Sequence, residues 1–185
     1  MRPAAGAGPE PQETPMRSIR ILTLGAAAAF AGVAAFTAGS ASAADVPGGH
    51  LDDVLYGTPY ADKITAFEGN DSLYGYAGAD LLLGGAGNDY LNGADGKDVL
   101  KGGSGSDYLA GSGGADSLYG NDGVDNLVPG FGPDQVRAGY GNDYLYVYAD
   151  GNADYIKCGP GYDTVYYDSV DPGDEFAGCD TFEAI

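Results

Sequence analysis

The stretch GGAGNDYLN at residues 84–92 decides how this chain folds. It reads as Gly-Gly-x-Gly-x-Asp-x-aliphatic-x, and GGSGSDYLA at residues 102–110 is a second full copy. With the aspartate at the sixth position, rows of nine begin at Gly48, Gly57, Ala66, Gly75, Gly84, Gly93, Gly102, Gly111, Gly120, Pro129 and Ala138. After a two-residue insertion, Val147-Tyr148, they resume at Ala149 and Cys158, which makes thirteen rows. The sixth position is Asp in all of them: Asp53, Asp62, Asp71, Asp80, Asp89, Asp98, Asp107, Asp116, Asp125, Asp134, Asp143, Asp154 and Asp163. The eighth is always Leu, Ile or Val, from Leu55 to Val165. The fourth is Gly in ten rows, Leu51, Tyr60 and Asn152 being the exceptions. A fixed short period is the mark of a repeat architecture, and degraded ends are usual for one.

Each part of the row has a physical role. The first six residues are turn chemistry, because Gly permits positive φ and close backbone approach. The last three form a short strand whose neighbours point to opposite faces, so the eighth residue faces in and the seventh and ninth face out. A six-residue turn reverses the chain, so two rows make one coil of eighteen residues and each strand stacks in parallel on the strand two rows later. The expected fold is therefore all-β: a parallel β-roll, a two-sheet solenoid of about six and a half coils and roughly 30 Å, closed by a C-terminal cap. Residues 1–43 read as an N-terminal extension and signal peptide, 44–166 as the roll, and 167–185 as the cap.

A core one side chain thick is thin, and stacked aspartates repel one another. Something cationic is expected to hold the turns together. Each pair of stacked turns offers carboxylate and carbonyl oxygen, with no Cys or His. That donor set disfavours zinc and copper. Calcium takes 6–8 such oxygens, whereas Mg²⁺ demands a tighter octahedron and keeps its waters. The plainer alternative is that the aspartates only form Asx turns.

GGAGNDYLN, GGSGSDYLA, and the weaker copies GADGKDVLK and GYAGADLLL resemble the RTX, or haemolysin-type, calcium-binding repeats, over about residues 48–166. The resemblance implies a parallel β-roll with several calcium ions held between turns two rows apart. Its ligands are sixth-position Asp side chains and carbonyls of the glycine turns, such as Gly84, Gly85 and Gly87, or Gly102, Gly103 and Gly105. Carried onto this chain, one stack pairs Asp71 with Asp89, Asp89 with Asp107, Asp107 with Asp125, and Asp125 with Asp143. The other pairs Asp80 with Asp98, Asp98 with Asp116, and Asp116 with Asp134. The turns of Asp53, Asp62 and Asp154 lack the central Gly and are doubtful sites. Asp163 has a good turn, CGPGYD, but the insertion at 147–148 is expected to disturb its register with Asp143. Many proteins with this repeat are exported through an uncleaved C-terminal signal, and many carry a catalytic domain; this chain is expected to have neither.

The N-terminus instead has the layout of a secretory leader. Arg17 and Arg20 precede an apolar run over 21–36, and Ala41-Ser42-Ala43 has the form of a cleavage site before Ala44. Either Met1 or Met16 serves as the start. The run is short and rich in Ala and Gly for a membrane span of about 20 residues, so no membrane insertion is expected after cleavage. The protein is thus expected outside a bacterial cell, where Cys158 and Cys179 pair as a disulfide. A formal charge of −19 argues against nucleic acid and anionic membrane as partners.

Enzymatic chemistry finds little to work with. His50 is the sole histidine, so H-E-x-x-H is impossible, and no G-x-S-x-G occurs. The expectation is a secreted, non-catalytic calcium-binding module that folds on binding the ion. The alternatives are a cell-surface structural or adhesive module, or the remnant of an RTX enzyme. Sheet parity places Tyr56, Tyr74, Tyr90, Tyr108, Tyr144, Tyr146 and Tyr166 on one outer face, and Lys63, Lys101, Arg137 and Lys157 on the other. The tyrosine face is either a contact surface for cell-wall polymer, glycan or another surface protein, or simply good strand chemistry.

Overall fold

A computed structural model describes residues 20–23 and 43–185. The leader expected over residues 1–43 otherwise lies outside the described residues. The chain is all-β, with no helix among those residues. The strands are β1 (Arg20–Thr23), β2 (Asp45–Gly49), β3 (Asp53–Tyr56), β4 (Lys63–Glu68), β5 (Ser72–Gly78) and β6 (Leu81–Ala86). Then come β7 (Tyr90–Gly96), β8 (Val99–Ser104), β9 (Tyr108–Gly114), β10 (Ser117–Asp122), β11 (Asn126–Phe131) and β12 (Gln135–Tyr140). The last are β13 (Tyr144–Val147), β14 (Tyr155–Lys157), β15 (Thr164–Tyr167), β16 (Glu175–Ala177) and β17 (Thr181–Ala184).

Odd strands form a nine-stranded sheet and even strands an eight-stranded one, each in sequence order. Every pairing is parallel, and within the regular rows the register is eighteen: Tyr90 pairs Tyr108, and Leu91 pairs Leu109. The result is a β-solenoid of about eight turns. The thirteen rows supply β3 to β15. Four further strands lengthen the solenoid beyond the six and a half coils expected. In β2, Val46 is fully buried and pairs Ile64, while Ala44 stands where a sixth-position Asp would be. The expected cap continues both sheets: Phe176 pairs Ile156 and Phe182 pairs Val165. The two rings meet edge to face with centroids 5.3 Å apart, closing the end of the core. Cys158 and Cys179 are disulfide-bonded, tying this last coil to the one before it.

All thirteen eighth-position residues, from Leu55 to Val165, are fully buried. They form one column per sheet, and the two columns meet as the centre of a core that Val46, Ala66, Ala138, Val147 and Cys158 complete. Coils this close leave no space above certain turn residues. A Cβ on Gly87 would lie 1.7 Å from the carbonyl oxygen of Gly69 one coil earlier, and one on Gly105 1.9 Å from that of Gly87. The fourth position is therefore Gly for stacking as much as for its φ of about 130°.

The insertion does not disturb the register of Asp163, contrary to expectation. Leu145 still pairs Val165, and Val136 still pairs Ile156. The extra length is taken up in the exposed segment around residues 148–153. There the Asp150 carboxylate accepts from Gly132 N–H, and Asp171 accepts from Asp150 and Gly151 N–H at 2.7 Å each.

Candidate metal centre

Every turn ends on its aspartate, and these thirteen side chains are all buried, none more than 4% exposed. An ionised carboxylate survives there only if its oxygens find partners. One of them does. The N–H of each aspartate donates to Oδ1 of the aspartate one coil later. Before the nine-stranded sheet the bonds run Asp53 to Asp71, Asp89, Asp107, Asp125, Asp143 and Asp163, at 2.7–3.0 Å. Before the eight-stranded sheet they run Asp62 to Asp80, Asp98, Asp116, Asp134 and Asp154, at 2.7–2.9 Å. Ala44 N–H starts this second ladder on Asp62 at 2.6 Å. Asp174 and Asp180 end the two ladders.

The second oxygen is left over. Oδ2 of Asp53, Asp71, Asp80, Asp89, Asp98, Asp107, Asp116, Asp125, Asp134, Asp143 and Asp163 is buried with no hydrogen-bond partner. It folds back over the first residue of its own turn: a Cβ on Gly84 would lie 2.4 Å from Asp89 Oδ2 and 2.7 Å from the Gly102 carbonyl oxygen. On Gly102 it would lie 2.3 Å from Asp107 Oδ2. Asp62 is different, since its Oδ2 accepts from Thr58 N–H at 2.5 Å and Thr58 Oγ1 at 2.9 Å. Its turn is satisfied without an ion.

Burial pushes these carboxyls up. Removal from water is the largest cause, opposed by the N–H bond from the preceding coil and reinforced by neighbouring carboxylates. Asp107 and Asp134 rise from 3.8 to about 7. Asp71, Asp80, Asp89, Asp116, Asp125, Asp143 and Asp154 rise to about 6. Asp98 and Asp163 rise as well. Stacked acids with an unpaired oxygen each are the electrostatic signature of a site that takes a cation.

The donor set fits calcium. Among the described residues no three His, Cys, Asp or Glu side chains gather to hold a metal unaided. A cation here is held by one or two carboxylates with turn carbonyls, which is oxygen chemistry of the calcium kind. The carbonyls of Gly69 and Gly87 accept no backbone hydrogen bond among the described residues. The residues that would hold the ion are the ladder aspartates and the carbonyls of glycine turns such as 84–87 and 102–105.

The two stacks of turns are not equivalent. Before the nine-stranded sheet a second ladder runs in the opposite sense at the fifth position. Asn70 N–H donates to Asp52 Oδ1 at 2.9 Å, Asn88 N–H to Asn70 Oδ1 at 2.9 Å, and Ser106 N–H to Asn88 Oδ1 at 2.7 Å. The other stack has Ala61, Ala79, Lys97, Ala115, Pro133 and Ala153 there. The recurrence of Asp or Asn every eighteen residues was the available signal, hidden because alternate rows interrupt it.

The outer faces are as sheet parity requires. Tyr56 and Tyr74 stack at 5.2 Å between centroids, Tyr90 and Tyr108 at 5.2 Å with 3° between planes, and Tyr146 and Tyr166 at 5.0 Å. The stacking is broken after Tyr108, whose next neighbour in the column is Asn126. Cross-strand stacking of this kind stabilises the sheet.

A parallel solenoid laced at both edges by buried carboxylates is, as a class, a framework suited to an oxygen-seeking divalent cation. The family profile of the RTX calcium-binding nonapeptide repeat, in its four-copy form, matches residues 48–82, 65–100, 74–109, 101–136, 119–151 and 129–165. The chain belongs to the RTX calcium-binding repeat family. No individual curated protein matches the sequence.

Proposed function

We propose that the protein is an exported, non-catalytic module whose turns bind several calcium ions and whose solenoid forms as they bind. The observation that carries this reading is the file of eleven buried aspartates with an unpartnered Oδ2. Bound calcium supplies positive charge and open coordination positions that the carboxylates and carbonyls can fill. The protein's own groups do the rest. The N–H ladder fixes Oδ1 of every carboxylate after Asp53, and where the first position is Gly, as at Gly84 and Gly102, it leaves room for Oδ2 to turn inward. Each inner aspartate faces a neighbour above and below, so an ion at one step ties adjacent coils together.

Export is supported by the leader layout at the N-terminus and by the disulfide, which belongs to an oxidising compartment. No helix of the described residues is long and apolar enough to cross a membrane. The non-catalytic reading rests on the histidine. His50 is exposed, and its Nδ1 pairs with Glu68 at 3.2 Å rather than with a nucleophile. Native mass spectrometry across a calcium series tests the reading. Several ions per chain are expected; binding of one or none would sink it.

A further inference from the structure

We propose that the outer face of the eight-stranded sheet is a docking strip for a linear anionic polysaccharide, built on Lys101, Tyr119, Arg137 and Lys157. This rests on the reading that calcium folds the solenoid, because the strip exists only when its coils are stacked. Register places the four side chains in one column: Lys101 pairs Tyr119, Tyr119 pairs Arg137, and Arg137 pairs Lys157. Three strand steps span about 14 Å. Lys101, Arg137 and Lys157 are exposed. Lys101 Nζ lies 5.5 Å from the centre of the Tyr119 ring and Arg137 Cζ 5.7 Å from it, so the ring holds the two cations in place.

The feature that asks for a ligand is the missing counter-charge. The chain has 27 acids and 8 bases, so almost any base has an acid to pair with. Yet among the described residues none of these three forms an ion pair. Arg137 and Lys157 stand on adjacent strands, one step apart, where like charges repel. The acids are concentrated in the turns at the two edges and in the cap, and calcium in the turns removes much of their field. Beyond a Debye length of about 8 Å the remainder is screened. What is left along the Lys101–Lys157 column is positive and extended, with the face's acids, Asp45 and Glu175, at its two ends, and it matches a polyanion.

The neighbouring column decides which polyanion. On the same strands as Tyr119, Arg137 and Lys157 it presents Ser117, Gln135 and Tyr155, and it ends one strand beyond on Glu175. These are uncharged donors and acceptors, suited to a chain rich in hydroxyls between its charges. A bare phosphate polymer has no use for them. The outward positions of the opposite sheet from β3 to β15 carry no Lys or Arg, so an anionic partner belongs on this side.

The test uses the full chain saturated with calcium, its fold checked by circular dichroism, and three immobilised probes: dextran sulfate, neutral dextran and inorganic polyphosphate. Dextran sulfate is expected to bind, neutral dextran not to bind, and polyphosphate to bind at least about tenfold more weakly. Arg137→Ala and Lys157→Ala should each weaken dextran sulfate binding about tenfold, the equivalent of one charge-assisted hydrogen bond. Lys97→Ala removes the same charge from an exposed turn position and should change binding less than about twofold. Equal losses from Lys97→Ala and Arg137→Ala would overturn the strip. Polyphosphate binding as tight as dextran sulfate would overturn the polysaccharide assignment. No binding by a chain that circular dichroism shows to be folded would overturn the whole proposal. A chain that stays unfolded in calcium would defeat the proposed function itself, and the strip with it.

Discussion

Replacing Asp107 with Asn separates the two jobs of a ladder carboxylate. Its Oδ1 accepts from Asp89 N–H at 2.8 Å, and its Oδ2 has no partner. Asn keeps the first oxygen in place and puts an amide nitrogen where the second was. The ladder bond survives, so the roughly 1–3 kcal/mol cost of stranding a buried N–H does not arise. What is lost is a charged ligand at the steps toward both Asp89 and Asp125. A site with a dissociation constant of about 0.1 mM contributes about 2.7 kcal/mol at about 10 mM calcium. Impairing one or two such sites should therefore lower stability in calcium by about 3–5 kcal/mol. Urea unfolding at fixed calcium measures it. Asp122→Asn is the matched control, because Asp122 is exposed at a third position and its loss changes net charge equally; it should cost less than about 0.5 kcal/mol. Equal shifts for the two variants would refute the reasoning, since net charge and not the ladder would then be at work.

Acid should partly replace calcium. Ladder carboxyls rise in the fold to about 6 or 7, above an unfolded value near 3.9. The folded chain thus binds protons more tightly than the unfolded one, a stabilisation fully present below about pH 4 and lost as pH rises through 6 to 7. In chelator, circular dichroism should show more strand at pH 5 than at pH 8, and calcium affinity should fall over the same window; no pH effect would count against buried ladders. Gly105→Ala should cost about 3 kcal/mol or more by urea unfolding, because its Cβ meets Gly87 O at 1.9 Å with φ at +131°, whereas Gly113→Ala, nearest neighbour 3.7 Å away, should be close to neutral. Ala94 holds φ at 72°, so Ala94→Gly should stabilise by about 0.5–1 kcal/mol in the same assay. Reducing Cys158–Cys179, a separation of 21 residues, should cost about 3 kcal/mol and raise hydrogen exchange first in β16 and β17.

The period of nine carried most of the fold, because a Gly-rich turn and an alternating strand admit few geometries. Leu91, Asp89 and Tyr90 each occupy the face that parity assigns. The parts that were not legible lack the row's markers. Just before β2 Ala44 replaces the aspartate, and only the buried Val46 betrays the row. Phe176 and Phe182 look like a cap because six residues separate them, yet the strands pair in the same order as before. The insertion at 147–148 seemed to threaten the register, but hydrogen bonding along the sheets is stronger than loop length, and the loop absorbs the excess. Phe67 and Tyr76 at positive φ were unforeseeable from composition, since neither residue chooses that region alone. They are carried there by the turns stacked around them.

Far-ultraviolet circular dichroism of the purified chain at pH 7.5, first in chelator and then through a calcium titration with magnesium as the control, tests the central claim most directly. The account predicts a chain without ordered strand in chelator or magnesium and a cooperative rise of β signal as calcium passes through about 0.1–1 mM. A full β spectrum in chelator, unchanged by calcium, would contradict it.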